Sequence, residues 1–147
     1  MALIDDVGSG PVGVDTALVI CFIEEDQRYI SMIAPLFAAA HAGRLEIVTS
    51  TLTLLEVLVV PYRAGNPELA GRYEAILTRS PGIRMIDLAR DHLRLAAQLR
   101  AAIVMQTPDA LQLATSLAAK CSTFVTIDRR LPAIPGMGIV QLSSYAS

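Results

Sequence analysis

Residues 107–131 read TPDALQLATSLAAKCSTFVTIDRRL, and the order of patterns in this stretch decides the fold. Thr107-Pro108-Asp109 is a helix-start signal: a capping hydroxyl, a proline where no amide donor is needed, and an acid in the first turn. The helix it opens runs to about Lys120. Thr123–Ile127 is a short, β-branched run, apolar at most positions, the pattern of a strand covered on both faces. Asp128 stands just beyond its carboxyl end. A helix feeding such a strand is one unit of a βαβ-built parallel sheet.

The same alternation extends outward. Further strands are expected at Val12–Val14, Glu46–Thr49, Ile83–Ile86 and Ile139–Leu142. Helices are expected over Thr16–Ile23, Tyr29–Ala42 with Gly43 as its stop, and Thr51–Tyr62. Another starts from the Asn66-Pro67-Glu68 cap and runs to about Thr78, and one capped by Asp87 runs to about Val104. The expected fold class is α/β: a three-layer α/β/α sandwich with a central, mostly parallel five-stranded sheet. The 147 residues suit one domain, 1–147, with residues 1–11 read as a flexible lead-in. A 53% hydrophobic content supplies one sizeable core and excludes a disordered body.

A formal net charge of −2 excludes a strongly basic DNA-coating protein. The mean hydropathy of +0.49 raises the question of a membrane. However, Val14–Ile23 and Leu52–Val60 are interrupted by Asp15 and Glu56 and fall short of the ~20 apolar residues a span needs. The start, MALIDDVGSG, carries acids where a secretory signal carries positive charge. A cytoplasmic protein without a membrane association is expected. Cys21 and Cys121 lack CxxC spacing and read as buried free thiols; His41 and His92 lack ligand spacing and read as helix-surface residues.

Ligands of parallel sheets bind beyond the carboxyl ends of the strands. Asp15 and Asp128 map there directly, Asp109 lies in the first turn of its helix, and Glu56 lies early in the helix after Glu46–Thr49. Each of the three aspartates also has an ordinary structural reading: Asp15 as a helix cap, Asp109 as an acid favoured at a helix N-terminus, Asp128 as a turn residue. Glu56 sits among Leu52, Thr53, Val59 and Val60 with no basic residue at helical spacing. It therefore needs a metal ion or a distant arginine to offset its desolvation. Four acids converging on one sheet edge favour a hard divalent cation, Mg²⁺ or Mn²⁺.

Other signals are weaker. Gly8-Ser9-Gly10-Pro11-Val12-Gly13 matches GxGxxG but precedes a strand instead of following one. Asp5-Asp6 has no lysine after a strand to complete a receiver-type site, and Ala17 breaks an Asp-x-Asp phosphatase motif.

The carriers of a family resemblance are Val14-Asp15-Thr16, residues 49–57 (TSTLTLLEV), residues 107–114 (TPDALQLA) and residues 124–131 (FVTIDRRL). Taken in order, they make the chain resemble the PIN-domain nucleases, particularly VapC-like toxins of type II toxin–antitoxin pairs, from about Val12 to Leu142. The resemblance implies a Mg²⁺- or Mn²⁺-dependent ribonuclease. Asp15, Glu56, Asp109 and Asp128 would be its catalytic and metal-binding acids, with Thr126 and Thr16 in support. Arg129 and Arg130, beside Asp128, are the expected contacts to substrate phosphate. The implied partners are an RNA substrate, a cognate antitoxin and a second copy of the chain. The first two helices and a Leu69/Tyr73/Leu77 stripe are candidate partner surfaces, with core packing as the alternative. Two positions depart from the family: Ala17 where Ser or Asn is common, and Ile127 where Asn is common. Those losses favour a second reading, a catalytically weak PIN fold that binds RNA or protein. A housekeeping RNA-processing nuclease is a third.

Overall fold

A computed structural model describes residues 3–145. β1 (Pro11–Val14) is first in sequence and becomes the middle of the sheet. β2 (Glu46–Ser50) and β3 (Ile83–Ile86) add outward on one side, β4 (Thr123–Thr126) and β5 (Gly138–Gln141) on the other. The order is β3-β2-β1-β4-β5, and every pairing is parallel. The five expected strands all occur, each end within one residue of its expected place.

Parallel neighbours require crossovers, which helices supply. α2 (Thr16–Ile23) and α3 (Ile30–His41) carry the chain from β1 to β2. α4 (Thr51–Arg63) and α5 (Pro67–Arg79) carry it to β3, and α6 (Arg90–Ala102) and α7 (Thr107–Ala118) to β4. Side chains alternate across each strand, so the sheet has two cores. Val12, Val14, Ile47 and Val125 pack with α2, α3 and Leu77 of α5. Val48 and Phe124 pack on the other face with Ala96 and Leu99 of α6 and Ala110 and Leu113 of α7. This is the expected three-layer sandwich.

Gly13 fixes how closely α7 approaches the sheet. A Cβ there would overlap the Ser116 side chain and come 2.8 Å from Phe124 Cδ1, so only glycine allows this contact.

Several expectations are corrected. Within residues 1–11, Leu3–Val7 form a short helix, α1, in place of an unpacked lead-in; residues 1–2 lie outside the described residues. Leu3 and Val7 share one helical face and are buried in the core beside α3. Asp87 does not cap α6, which starts at Arg90. His92 Nδ1 instead accepts the Ala89 N–H at 2.9 Å. That helix ends at Ala102 because Ile103 is extended (φ −137°, ψ 138°). Thr107 is the first residue of α7, not its cap; its hydroxyl accepts a hydrogen bond from Arg100 Nη1 at 2.8 Å.

Cys21 and Cys121 are buried and free, as expected, and burial pushes both thiols up to about 11. The apolar residues of α2 and α3, together with Leu77, are largely core. Large exposed apolar side chains lie instead on α4, where Leu55 and Tyr62 are 62% and 59% exposed, and at Leu93 of α6 and Val104 beyond its end. No helix among the described residues is long and apolar enough to cross a membrane.

Candidate active site

The sheet grows from β1 toward β3 and then restarts at β4 on the other side of β1, which makes a topological switch point at the carboxyl ends of β1 and β4. Asp15 and Asp128 stand at that point. Asp15 Oδ1 accepts the Leu18 N–H at 2.9 Å, which caps α2. Its other oxygen reaches across the sheet, where Oδ2 accepts the Thr126 hydroxyl at 2.5 Å and the Ile127 N–H at 3.2 Å. Burial pushes the Asp15 carboxyl above its usual range. The three hydrogen bonds oppose that shift without cancelling it, and the Asp109 charge adds to it.

Asp109, in the first turn of α7, is half-buried. Burial raises its carboxyl most, the Asp128 and Glu56 charges raise it further, and Arg130 works in the opposite direction. Asp128 Oδ1 accepts the Arg130 N–H at 2.9 Å and its Nε–H at 3.3 Å. The Arg130 side chain is 87% exposed, so it edges the acidic group without entering it. Arg129 is exposed as well. A cleft of about 220 Å³ runs between Val104, Gln106, Asp109, Asp128, Arg130 and Leu131.

Glu56 meets no arginine or lysine among the described residues. Its Oε1 accepts the Thr16 hydroxyl at 2.8 Å. Behind that bond lies a buried polar cluster. Gln112 Nε2 donates to Thr16 Oγ1 at 3.0 Å and to Thr53 Oγ1 at 2.8 Å, and Ser50 donates to Gln112 Oε1 at 3.1 Å. Sequence reasoning gave Gln112 no role. The available signal was its place three residues after Asp109, on the same helical face, in an otherwise apolar turn.

Asp15, Asp109, Asp128 and Glu56, from four separate segments, are thus linked by mutual charge effects. Thr16 and Thr126 bond two of them directly. Among the described residues, however, no three Asp, Glu, His or Cys side chains stand close enough to hold one metal ion as placed. The chemistry of the donors nevertheless fits a hard divalent cation. They are carboxylate oxygens, two of the groups are raised by burial and by neighbouring carboxylates, and among the described residues the cation acting on Asp109 is a solvent-exposed guanidinium.

A parallel α/β sandwich with an acidic group at its switch point defines a class of domain built to bring carboxylates to one sheet edge. The model of the PIN domain matches residues 13–137, and the chain belongs to the PIN domain family. Its structural neighbours include a toxin–antitoxin complex from Klebsiella pneumoniae, with a TM-score of 0.62 at 20% identity, covering 90% of this chain and 97% of that one. VapBC2 from Rickettsia felis, crystallised on a DNA fragment from its promoter, superposes with a TM-score of 0.65 at 16% identity, covering 90% of this chain and 98% of that one. VapC20 of Mycobacterium tuberculosis, described as a Sarcin-Ricin loop cleaving toxin, gives 0.63 at 17%, covering 81% and 91%. FitAcB from Neisseria gonorrhoeae gives 0.61 at 17%, covering 90% and 98%. A search of curated proteins by sequence returns no match.

Proposed function

We propose that this protein is a metal-dependent ribonuclease and the toxin of a toxin–antitoxin pair. The observation that carries the reading is the raised state of Asp15 and Asp109, produced by burial and by neighbouring carboxylates and opposed, among the described residues, by hydrogen bonds at Asp15 and by the exposed Arg130 guanidinium at Asp109. Structural groups are not usually left so unbalanced; functional ones are.

Asp15, Asp109, Asp128 and Glu56 would hold Mg²⁺ or Mn²⁺. When bound, the ion supplies an activated water and charge stabilisation on the phosphodiester. Asp15 is aimed by the Leu18 and Ile127 amides and the Thr126 hydroxyl. Glu56 is tethered through Oε1, which would leave Oε2 to accept a proton from water. Arg130 pairs with Asp128 through Nε and keeps its terminal nitrogens exposed for a phosphate oxygen, with Arg129 beside it. The toxin role and an antitoxin partner are supported by the toxin–antitoxin neighbours. A second copy of the chain is supported by exposed Leu55 and Tyr62.

Purified protein incubated with single-stranded RNA and Mn²⁺ should cleave it, and Asp15→Asn and Asp109→Asn should not. Equal cleavage by all three, or cleavage that survives EDTA, defeats the assignment. The binding-module reading draws on Ala17 and on Ile127, which packs against the core and offers no polar group. Calorimetry separates the two, since a module without catalysis need show no carboxylate-dependent Mn²⁺ affinity.

A further inference from the structure

The buried cluster behind Glu56 has a direction, and Gln112 sets it. Both Gln112 Nε2 hydrogens are donated, one to Thr16 and one to Thr53. Its Oε1 accepts from Ser50, whose own oxygen is anchored by the Leu52 N–H at 3.2 Å. Thr16 and Thr53 must therefore send their single protons elsewhere. Thr16 Oγ1 lies 2.8 Å from Glu56 Oε1, which in a carboxylate can only accept, so the Thr16 proton goes there. Thr53, 2.9 Å from Thr16, then donates to Thr16, and Thr49, 2.7 Å from Thr53, donates to Thr53. Each of the two central hydroxyls accepts two bonds and donates one. No side-chain polar atom buried in the described structure lacks a partner.

From this we infer that Gln112 is a positioning residue: it orients the Thr16 hydroxyl toward Glu56 and so fixes that carboxylate beside the start of α2, where its charge reaches Asp109. Gln112 touches no reacting atom. It is almost wholly buried, as are Ser50, Thr49 and Thr53, and the orientation is locked from below by packed strand ends. The inference deepens the ribonuclease reading and rests on it for its effect on rate.

Gln112→Glu keeps the shape and removes both donors, so the Thr16 and Thr53 protons can turn to residue 112 and leave Glu56 untethered. Gln112→Leu removes the group, and Thr16→Val removes the link. RNA cleavage by each should show kcat reduced about ten- to hundredfold with KM within about twofold of wild type, the signature of a misplaced catalytic group. Combining Gln112→Leu with Thr16→Val should lower kcat no further than either alone, because both break the same connection. A multiplicative loss in the double variant, or wild-type kcat in Gln112→Glu, overturns the inference. In metal-free protein the Thr16 hydroxyl proton should give a slowly exchanging NMR signal, absent in Gln112→Glu and Gln112→Leu; its persistence in both also overturns it. If the signal behaves as expected while wild type cleaves no RNA, the positioning stands and the ribonuclease reading falls.

Discussion

Thr126 and Asp15, 111 residues apart in sequence, are joined by a 2.5 Å hydrogen bond from the threonine hydroxyl to Asp15 Oδ2. The same hydroxyl accepts the Asp128 N–H at 3.0 Å. One small side chain at the end of β4 therefore ties the Asp15 carboxylate to the backbone of Asp128, each just beyond the end of its strand. Thr126→Val should cost about 1–2 kcal/mol of stability, since it strips a donor from a buried carboxyl. It should also weaken Mn²⁺ binding by calorimetry while the fold persists by circular dichroism. Unchanged affinity would mean that Thr126 serves packing alone.

The raised carboxyls set a pH dependence. Asp15 and Asp109 hold their protons to higher pH in the folded protein than in the unfolded chain, so the folded state binds more protons across that interval. Their contribution is full below the ordinary carboxyl value of 3.8 and is lost as pH rises through the folded values. In EDTA, Asp109→Asn should melt higher than wild type at pH 7, and the difference should shrink as pH falls toward 4. A gain independent of pH would argue against this origin.

Divalent metal should reverse that penalty. Mn²⁺ well above its dissociation constant should raise the wild-type melting temperature, about 2.7 kcal/mol of stabilisation at a hundredfold excess over Kd. Asp15→Asn and Asp109→Asn should lose most of the rise in a thermal-shift titration. An equal rise in all three would place the ion elsewhere.

Gly13→Ala tests the approach of α7 to the sheet. The added methyl overlaps Ser116, so α7 or β1 must shift, at about 1–3 kcal/mol. Urea denaturation should show the loss, and Ser116→Gly in the same chain should recover part of it.

Arg130→Ala should raise KM for RNA several-fold, because it removes an exposed guanidinium beside the cleft. The same change should raise the Asp109 carboxyl further, since Arg130 is the cation acting against its shift. Carboxyl-carbon NMR titration would show that second effect even in protein that cuts no RNA.

Much of the architecture was legible in the linear pattern. The five strands are short, apolar and bounded by turn residues, and Asn66-Pro67 marked a helix start that the structure keeps, with Asn66 Oδ1 accepting the Leu69 N–H at 3.1 Å. Local signals failed where a tertiary contact outweighed them. Thr107 spends its hydroxyl on Arg100, the Asp87 cap gives way to the His92 ring, and α1 forms because Leu3 and Val7 find a core that their own segment does not reveal.

By itself the sequence determined that strands and helices alternate and that four acids follow strand ends or open helices, because periodicity and capping act over a few residues. Only the tertiary structure decided what those acids meet. Glu56 faces a threonine instead of an arginine, Asp15 is gripped by the end of β4, and Gln112 orders a run of hydroxyls between α7, α2 and α4. The direction of a hydrogen bond depends on every donor and acceptor around it, and those partners come from segments up to 112 residues apart.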